Sequence, residues 1–167
     1  IGLIIKLSSR GPIIYTQTRM GKDEKRFSIY KFRTMPVSAE KGGPQWSTPQ
    51  DVRATPFGAL LRATHLDELP QLINVLRGNI AFVGPRPERP EFIKLLKKQI
   101  PYYEVRHIVK PGITGWAQIN YRYGSSIEDA HQKLQYDLFY VKNHNVILDF
   151  VILFETVSVV LSGKGAQ

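Results

Sequence analysis

Two short clusters in this chain have the residue types needed for chemistry on a phosphate. In Leu66-Asp67-Glu68-Leu69-Pro70-Gln71-Leu72, adjacent carboxylates stand just ahead of a proline. In Val83-Gly84-Pro85-Arg86-Pro87-Glu88, an arginine is held between two prolines. A carboxylate can act as a nucleophile, and the planar guanidinium fork matches phosphate oxygens two at a time. Proline fixes φ and pushes the residue before it toward extended conformations, so Arg86 is presented at little entropic cost.

Elements must bring these clusters together. Pro70 lacks an N–H and is tolerated only in a first helical turn, which predicts a helix beginning near Asp67, with Asp67 at or beside its N-cap. Leu69, Leu72, Ile73 and Leu76 recur with the period of one buried helical face, and Arg77-Gly78 supplies a cationic last turn and a terminating glycine. The positive end of such a helix favours ionised carboxylates, so Asp67 is expected to stay deprotonated at neutral pH. A purely structural reading competes, because Asp is a favoured N-cap and Glu is common in a first turn. Arg62 upstream and Arg86 downstream favour the chemical one.

Those motifs, with others in fixed order, resemble the bacterial sugar transferase family, the monotopic polyprenyl-phosphate phosphoglycosyl transferases. The likeness runs through Gly11-Pro12, Tyr30-Lys31-Phe32-Arg33-Thr34-Met35, Leu66-Asp67-Glu68-Leu69-Pro70-Gln71, Asn74-Val75-Leu76, Gly84-Pro85-Arg86-Pro87, Lys110 to Gln118 and Tyr136-Asp137. The resemblance implies transfer of a sugar 1-phosphate from a nucleoside diphosphate sugar, a UDP-sugar above all, to undecaprenyl or another polyprenyl phosphate. UMP would be released, and exopolysaccharide, capsule or O-antigen assembly would begin. It implies Asp67 as nucleophile through a covalent phosphosugar intermediate, Glu68 as its partner, and Mg²⁺ with Asp67 among its ligands. Arg62 and Arg86 match the family's arginines, and Lys31 and Arg33 are expected to support the anionic substrate. The family often has Asn-Gly-Arg-Asn where this chain has Asn120-Tyr121-Arg122-Tyr123, so the sugar and the role of Arg122 stay open.

At 167 residues and 43% hydrophobic content the chain is sized for a single domain, 1–167. The expected class is α+β, helices packed around a small β-hairpin. The absence of cysteine excludes disulfides and zinc–thiolate sites. The resemblance places a membrane-inserting segment immediately upstream, with residues 1–9 as its tail, and locates the domain on the cytoplasmic face of a bacterial inner membrane. The net charge of +9 is uneven: residues 1–35 hold eight cations against Asp23 and Glu24. Lys6, Arg10, Lys22, Lys25 and Arg26 are expected to face an anionic lipid surface. A solubilising face is the plainer explanation. Nucleic acid is not expected as a partner, since no fold signature for it accompanies the charge. A non-catalytic basic membrane-binding module, its Asp67-Glu68 pair merely capping a helix, is the alternative to the enzyme.

Elsewhere, the β-rich runs Ile13 to Arg19 and Phe27 to Thr34 flank turn residues and predict a hairpin, with Lys31 and Arg33 on one face. Residues 36–55 read as a loop with Trp46 as a packing anchor, and Thr55-Pro56 opens a short helix carrying Leu60, Leu61 and Arg62. A helix from Pro90 presents Phe92, Leu95 and Leu96, with Lys94, Lys97 and Lys98 turned away. Pro111 to Trp116 is expected to be a tight loop. Ser126 and Asp129 resemble a capping box opening a helix with Ile127, Ala130, Leu134, Leu138 and Val141 on one side, and His131 on it is read as a surface or packing residue. The apolar run Val146 to Leu161 falls short of the ~20 residues that span a bilayer and should be buried or interfacial.

Overall fold

The computed structural model describes residues 1–39, 43, 45, 46, 51–121, 124 and 126–161. Arg122, and much of the predicted loop around Trp46, lie outside the described residues. Among those described, helices surround two small sheets, a mixed architecture that agrees with the expected α+β class. Strands β1 (Ile14–Met20) and β2 (Arg26–Phe32) form the expected antiparallel hairpin, in register from Ile14 opposite Phe32 to Met20 opposite Arg26. Helix α1 (Gly2–Ser8) sits at the open end of that hairpin, and its Ile5 is buried while Leu3 and Leu7 are exposed.

Helix α2 (Pro56–Ala63) starts where Thr55-Pro56 places it, with the Thr55 hydroxyl accepting from the Gly58 N–H. The next helix differs from expectation. Leu66–Glu68 form a separate 3₁₀ turn, entered through a left-handed His65, and α3 (Gln71–Leu76) begins only after Pro70, which is itself the N-cap. Neither carboxylate caps α3, so the structural reading of the pair loses its premise. The polarity of α3 is also inverted. Leu69, Leu72 and Ile73 are half-exposed and Leu76 is 88% exposed, whereas Gln71 and Asn74 are buried. A 3.6-residue stripe marks a helical face but does not say which side of it meets the core.

The reason lies in Asn74. Its Oδ1 accepts from the Tyr30 N–H at 3.0 Å and its Nδ2 donates to the Ser28 carbonyl at 2.7 Å. The side-chain amide thus stands in for a neighbouring strand on the free edge of β2 and draws the polar face of α3 inward. Pairing two backbone groups on the strand edge outweighs burying the leucines of this short helix.

Pro111 to Trp116, expected as a loop, contains β4 (Gly112–Thr114), which pairs in parallel with β3 (Ala81–Val83). The ladder is possible because Gly84 and Gly112 meet backbone to backbone, where a Cβ on either would collide with main-chain atoms. Helix α5 (Trp116–Asn120) follows.

Helix α4 (Pro90–Gln99) starts as predicted but buries Ile93 with Leu96, leaving Leu95 outside. Helix α6 (Ile127–Asn143) opens with the expected capping box, Ser126 and Asp129 each bonding the other's backbone. Its Leu134 joins Ile93, Leu96, Ile100 and Tyr103 in the main core. Trp46 packs on Phe92 with ring centroids 4.7 Å apart, and His131 is exposed. Helix α7 (Val146–Leu161) buries Ile152 but exposes Val146, Ile147, Phe150 and Phe154. No helix among the described residues is long and apolar enough to cross a membrane.

Candidate active site

The 3₁₀ turn places the two carboxylates in different surroundings. Glu68 Oε1 is shared by two cations, Lys31 Nζ at 2.6 Å from β2 and Arg86 Nη2 at 2.7 Å from the segment after β3. Asp67 is buried, and among the described residues its carboxylate makes no hydrogen bond or ion pair. The docking of α3 on β2 through Asn74 brings the turn against Lys31.

Arg86 is rigid for a reason beyond its prolines. Every carbonyl from Pro85 to Glu88 has a donor: Gly112 N–H to Pro85 at 3.0 Å, Arg106 Nη2 to Arg86 at 2.9 Å, Arg19 Nη1 to Pro87 at 3.2 Å and Met20 N–H to Glu88 at 3.0 Å. The segment is pinned at once by β4, by the Tyr103–His107 turn and by the hairpin. Such a fixed backbone aims a guanidinium with little entropy to lose.

Electrostatics separate the pair further. Burial opposes the charge on Glu68, but Arg86 and then Lys31 outweigh it and hold the carboxyl far below the ordinary range. Burial raises Asp67, with Lys31 opposing and the Glu68 charge adding to the rise. The expected help from a helix N-terminus is absent, because Asp67 precedes α3 instead of opening it. Burial likewise lowers Lys31, against the pull of Glu68.

Of the residues proposed for phosphate, the structure brings together Lys31 and Arg86 and leaves two elsewhere. Arg33 is buried and donates to the carbonyls of Arg10 at 2.5 Å, Ser9 at 2.7 Å and Ile5 at 3.4 Å, so it docks α1 on the hairpin and is withdrawn from the phosphate set. Alternation does put it on the Lys31 face, but its longer reach ends on the helix. Arg62 is buried, with its Nη1 3.8 Å from Asp51 Oδ2. Lys6, Arg10, Lys22, Lys25 and Arg26 are exposed, but in two groups at opposite ends of the hairpin, roughly 20 Å apart by strand rise. Residue type and spacing alone do not mark Asn74, Arg106 or Asp137 for these contacts. The signal for Asn74 was a polar residue on the inward face of α3, legible only once that face is known.

Among the described residues no three acidic or histidine side chains converge as a metal cage. Magnesium does not need one, since it commonly binds through one or two carboxylates plus substrate phosphates. The Asp67 oxygens fit that donor set, whereas Glu68 Oε1 is already taken by two cations.

Residues 1–163 match the model of the family described as bacterial sugar transferase. The chain belongs to the bacterial sugar transferase family. It is 42% identical over 99% of its length to a UDP-N-acetylgalactosamine-undecaprenyl-phosphate N-acetylgalactosaminephosphotransferase of Aeromonas hydrophila, covering 39% of that protein. It is 45% identical over 94% of its length to a UDP-glucose:undecaprenyl-phosphate glucose-1-phosphate transferase of Escherichia coli (strain K12), covering 34%. An uncharacterized sugar transferase of Bacillus subtilis (strain 168) is 43% identical, with 77% of it covered. The chain thus spans little more than a third of the first two relatives, and the bacterial sugar transferase unit is the part they share with it.

Proposed function

We propose that this domain transfers a sugar 1-phosphate from a UDP-sugar to polyprenyl phosphate, undecaprenyl phosphate being the acceptor named in the two enzymatic relatives, and so begins exopolysaccharide or related glycan assembly. One observation supports this above all: Asp67, a buried carboxylate without a hydrogen-bond partner among the described residues, stands next to Glu68, which two cations clamp. A free carboxylate beside a preset cationic pair is what nucleophilic attack on a phosphodiester requires.

An Asp67 oxygen attacks the phosphorus attached to the sugar, and the bond from that phosphorus to the bridging oxygen breaks, releasing UMP. An oxygen of the lipid phosphate then attacks the same phosphorus and expels the Asp67 carboxylate, leaving a polyprenyl diphosphosugar. Arg86 and Lys31 stabilise charge on the phosphoryl oxygens in both steps, and Glu68 keeps the two cations fixed between them. Asp67 would hold Mg²⁺, and a bound Mg²⁺ would neutralise phosphate charge. The apolar surfaces of α1, α3 and α7 support work at a membrane surface, where the lipid chain stays out of water; the reading puts that surface at the cytoplasmic face of the inner membrane, where UDP-sugars are supplied.

Asp67→Asn tests the reading directly. Transfer should fall to background while the melting temperature stays near the parent's, because the carboxylate makes no hydrogen bond that the amide would lose. Parent-like UMP release by this variant would remove Asp67 as nucleophile.

A further inference from the structure

The Arg86 carbonyl is held by a second arginine that lies outside the pair of cations on Glu68. Arg106 Nη2 donates to Arg86 O at 2.9 Å and pairs with Asp137 Oδ2 at 2.7 Å, while its Nη1 donates to the Tyr103 hydroxyl at 2.7 Å. Its guanidinium also lies 5.1 Å from the centroid of the Tyr103 ring. Arg106 and Asp137 are buried.

A buried ion pair is a weak reason for stability, since well-packed apolar residues of similar volume often serve as well. What this pair does that apolar residues would not is join two parts of the molecule. Asp137 lies one turn beyond Leu134 on α6, and Tyr103 packs with Leu134, Ile93 and Leu96 in the main core. The guanidinium therefore runs a hydrogen-bonded line from the core to the backbone of Arg86, the arginine that pairs with Glu68.

We propose that Arg106 and Asp137 are positioning residues for the transfer: Asp137 orients the Arg106 fork, and the fork fixes the Arg86 carbonyl so that the Arg86 guanidinium stands ready for the phosphate. Neither is assigned contact with substrate. The proposal rests on the reading of Arg86 as a phosphate ligand, and its effect must pass through Arg86.

A double-mutant cycle in the full-length protein tests this, with UMP release as kcat/KM for the UDP-sugar at saturating lipid phosphate, and melting temperature in parallel. The variants are Arg86→Ala, the charge-balanced replacement Arg106→Met with Asp137→Leu, and all three together. The paired replacement should lower kcat/KM by on the order of tenfold to a hundredfold, as expected for a small misplacement of a reacting group. In the Arg86→Ala background it should cost almost nothing further. An equal cost in both backgrounds, or no cost in the parent, overturns the positioning role. If the paired replacement does not fold, Arg106→Lys takes its place: one ammonium can keep Asp137 but not the full fork, and its loss should likewise vanish without Arg86. Parent-like activity of Arg86→Ala alone would instead remove the clamp under the proposed function, and positioning with it.

Discussion

Asp67 and Glu68 are neighbours in sequence and opposites in circumstance. Glu68 is fixed by Lys31 and Arg86, while Asp67 is left to burial, which raises its pKa above the ordinary 3.8. If Asp67 must be ionised to attack, the acid limb of kcat/KM against pH should lie above that value. Lys31 favours the Asp67 anion, so Lys31→Met should move the limb to higher pH as well as weaken turnover. A limb that stays in place would detach the Asp67 charge from the reaction. Arg86→Lys keeps the charge but not the fork, and it should cost tenfold or more in kcat/KM, about 1.4 kcal/mol in transition-state terms. Steady-state kinetics within a factor of about two of the parent would argue that a point charge suffices.

At the scale of elements, α3 is placed by one polar side chain. Asn74→Ala would leave the Tyr30 N–H and the Ser28 carbonyl without their partner, at roughly 1–3 kcal/mol, readable in urea unfolding. Turnover should fall as well, since Lys31 and Glu68 meet only while α3 holds β2. The elements whose signals are local were legible in the sequence: the hairpin from its two β-rich runs, α2 from Thr55-Pro56, α6 from Ser126 and Asp129. What depends on distant partners was not. The periodicity of Leu69, Leu72, Ile73 and Leu76 could not reveal that their stripe faces outward. Three-residue strands such as β3 and β4 carry too little pattern to announce a parallel pair. Lys31 and Arg33 stand two residues apart at the end of the hairpin, and nothing in their spacing says that one ends on Glu68 and the other on the carbonyls at the end of α1. The pair Asp67-Glu68 and the arginine between prolines were legible because their chemistry is written in residue type.

For the whole molecule, charge and apolar surface are expected to divide the work at a membrane. Replacing Lys6, Arg10, Lys22, Lys25 and Arg26 by Gln in the full-length protein should weaken co-sedimentation with anionic vesicles, by up to about 1 kcal/mol per cation, and the loss should shrink as salt rises. Because these cations sit at two ends of the hairpin, restoring either group alone should recover only part of the binding. Phe150→Ser with Phe154→Ser on α7 should weaken binding in a manner nearly independent of salt, since apolar transfer is not screened. Unchanged co-sedimentation at low salt for the cation variant would remove the membrane-facing role from those residues.

Asn74 also has a consequence for solubility. A strand with a bare edge offers a row of N–H and C=O groups on which another copy can template itself. In this domain the outer edge of β2 is closed at Tyr30 and Ser28 by a side chain that imitates a strand but cannot be extended by one. Along that edge, Asn74 acts as a stopper against chain-to-chain pairing, leaving a second copy no free N–H at Tyr30 and no free carbonyl at Ser28 on which to add a strand.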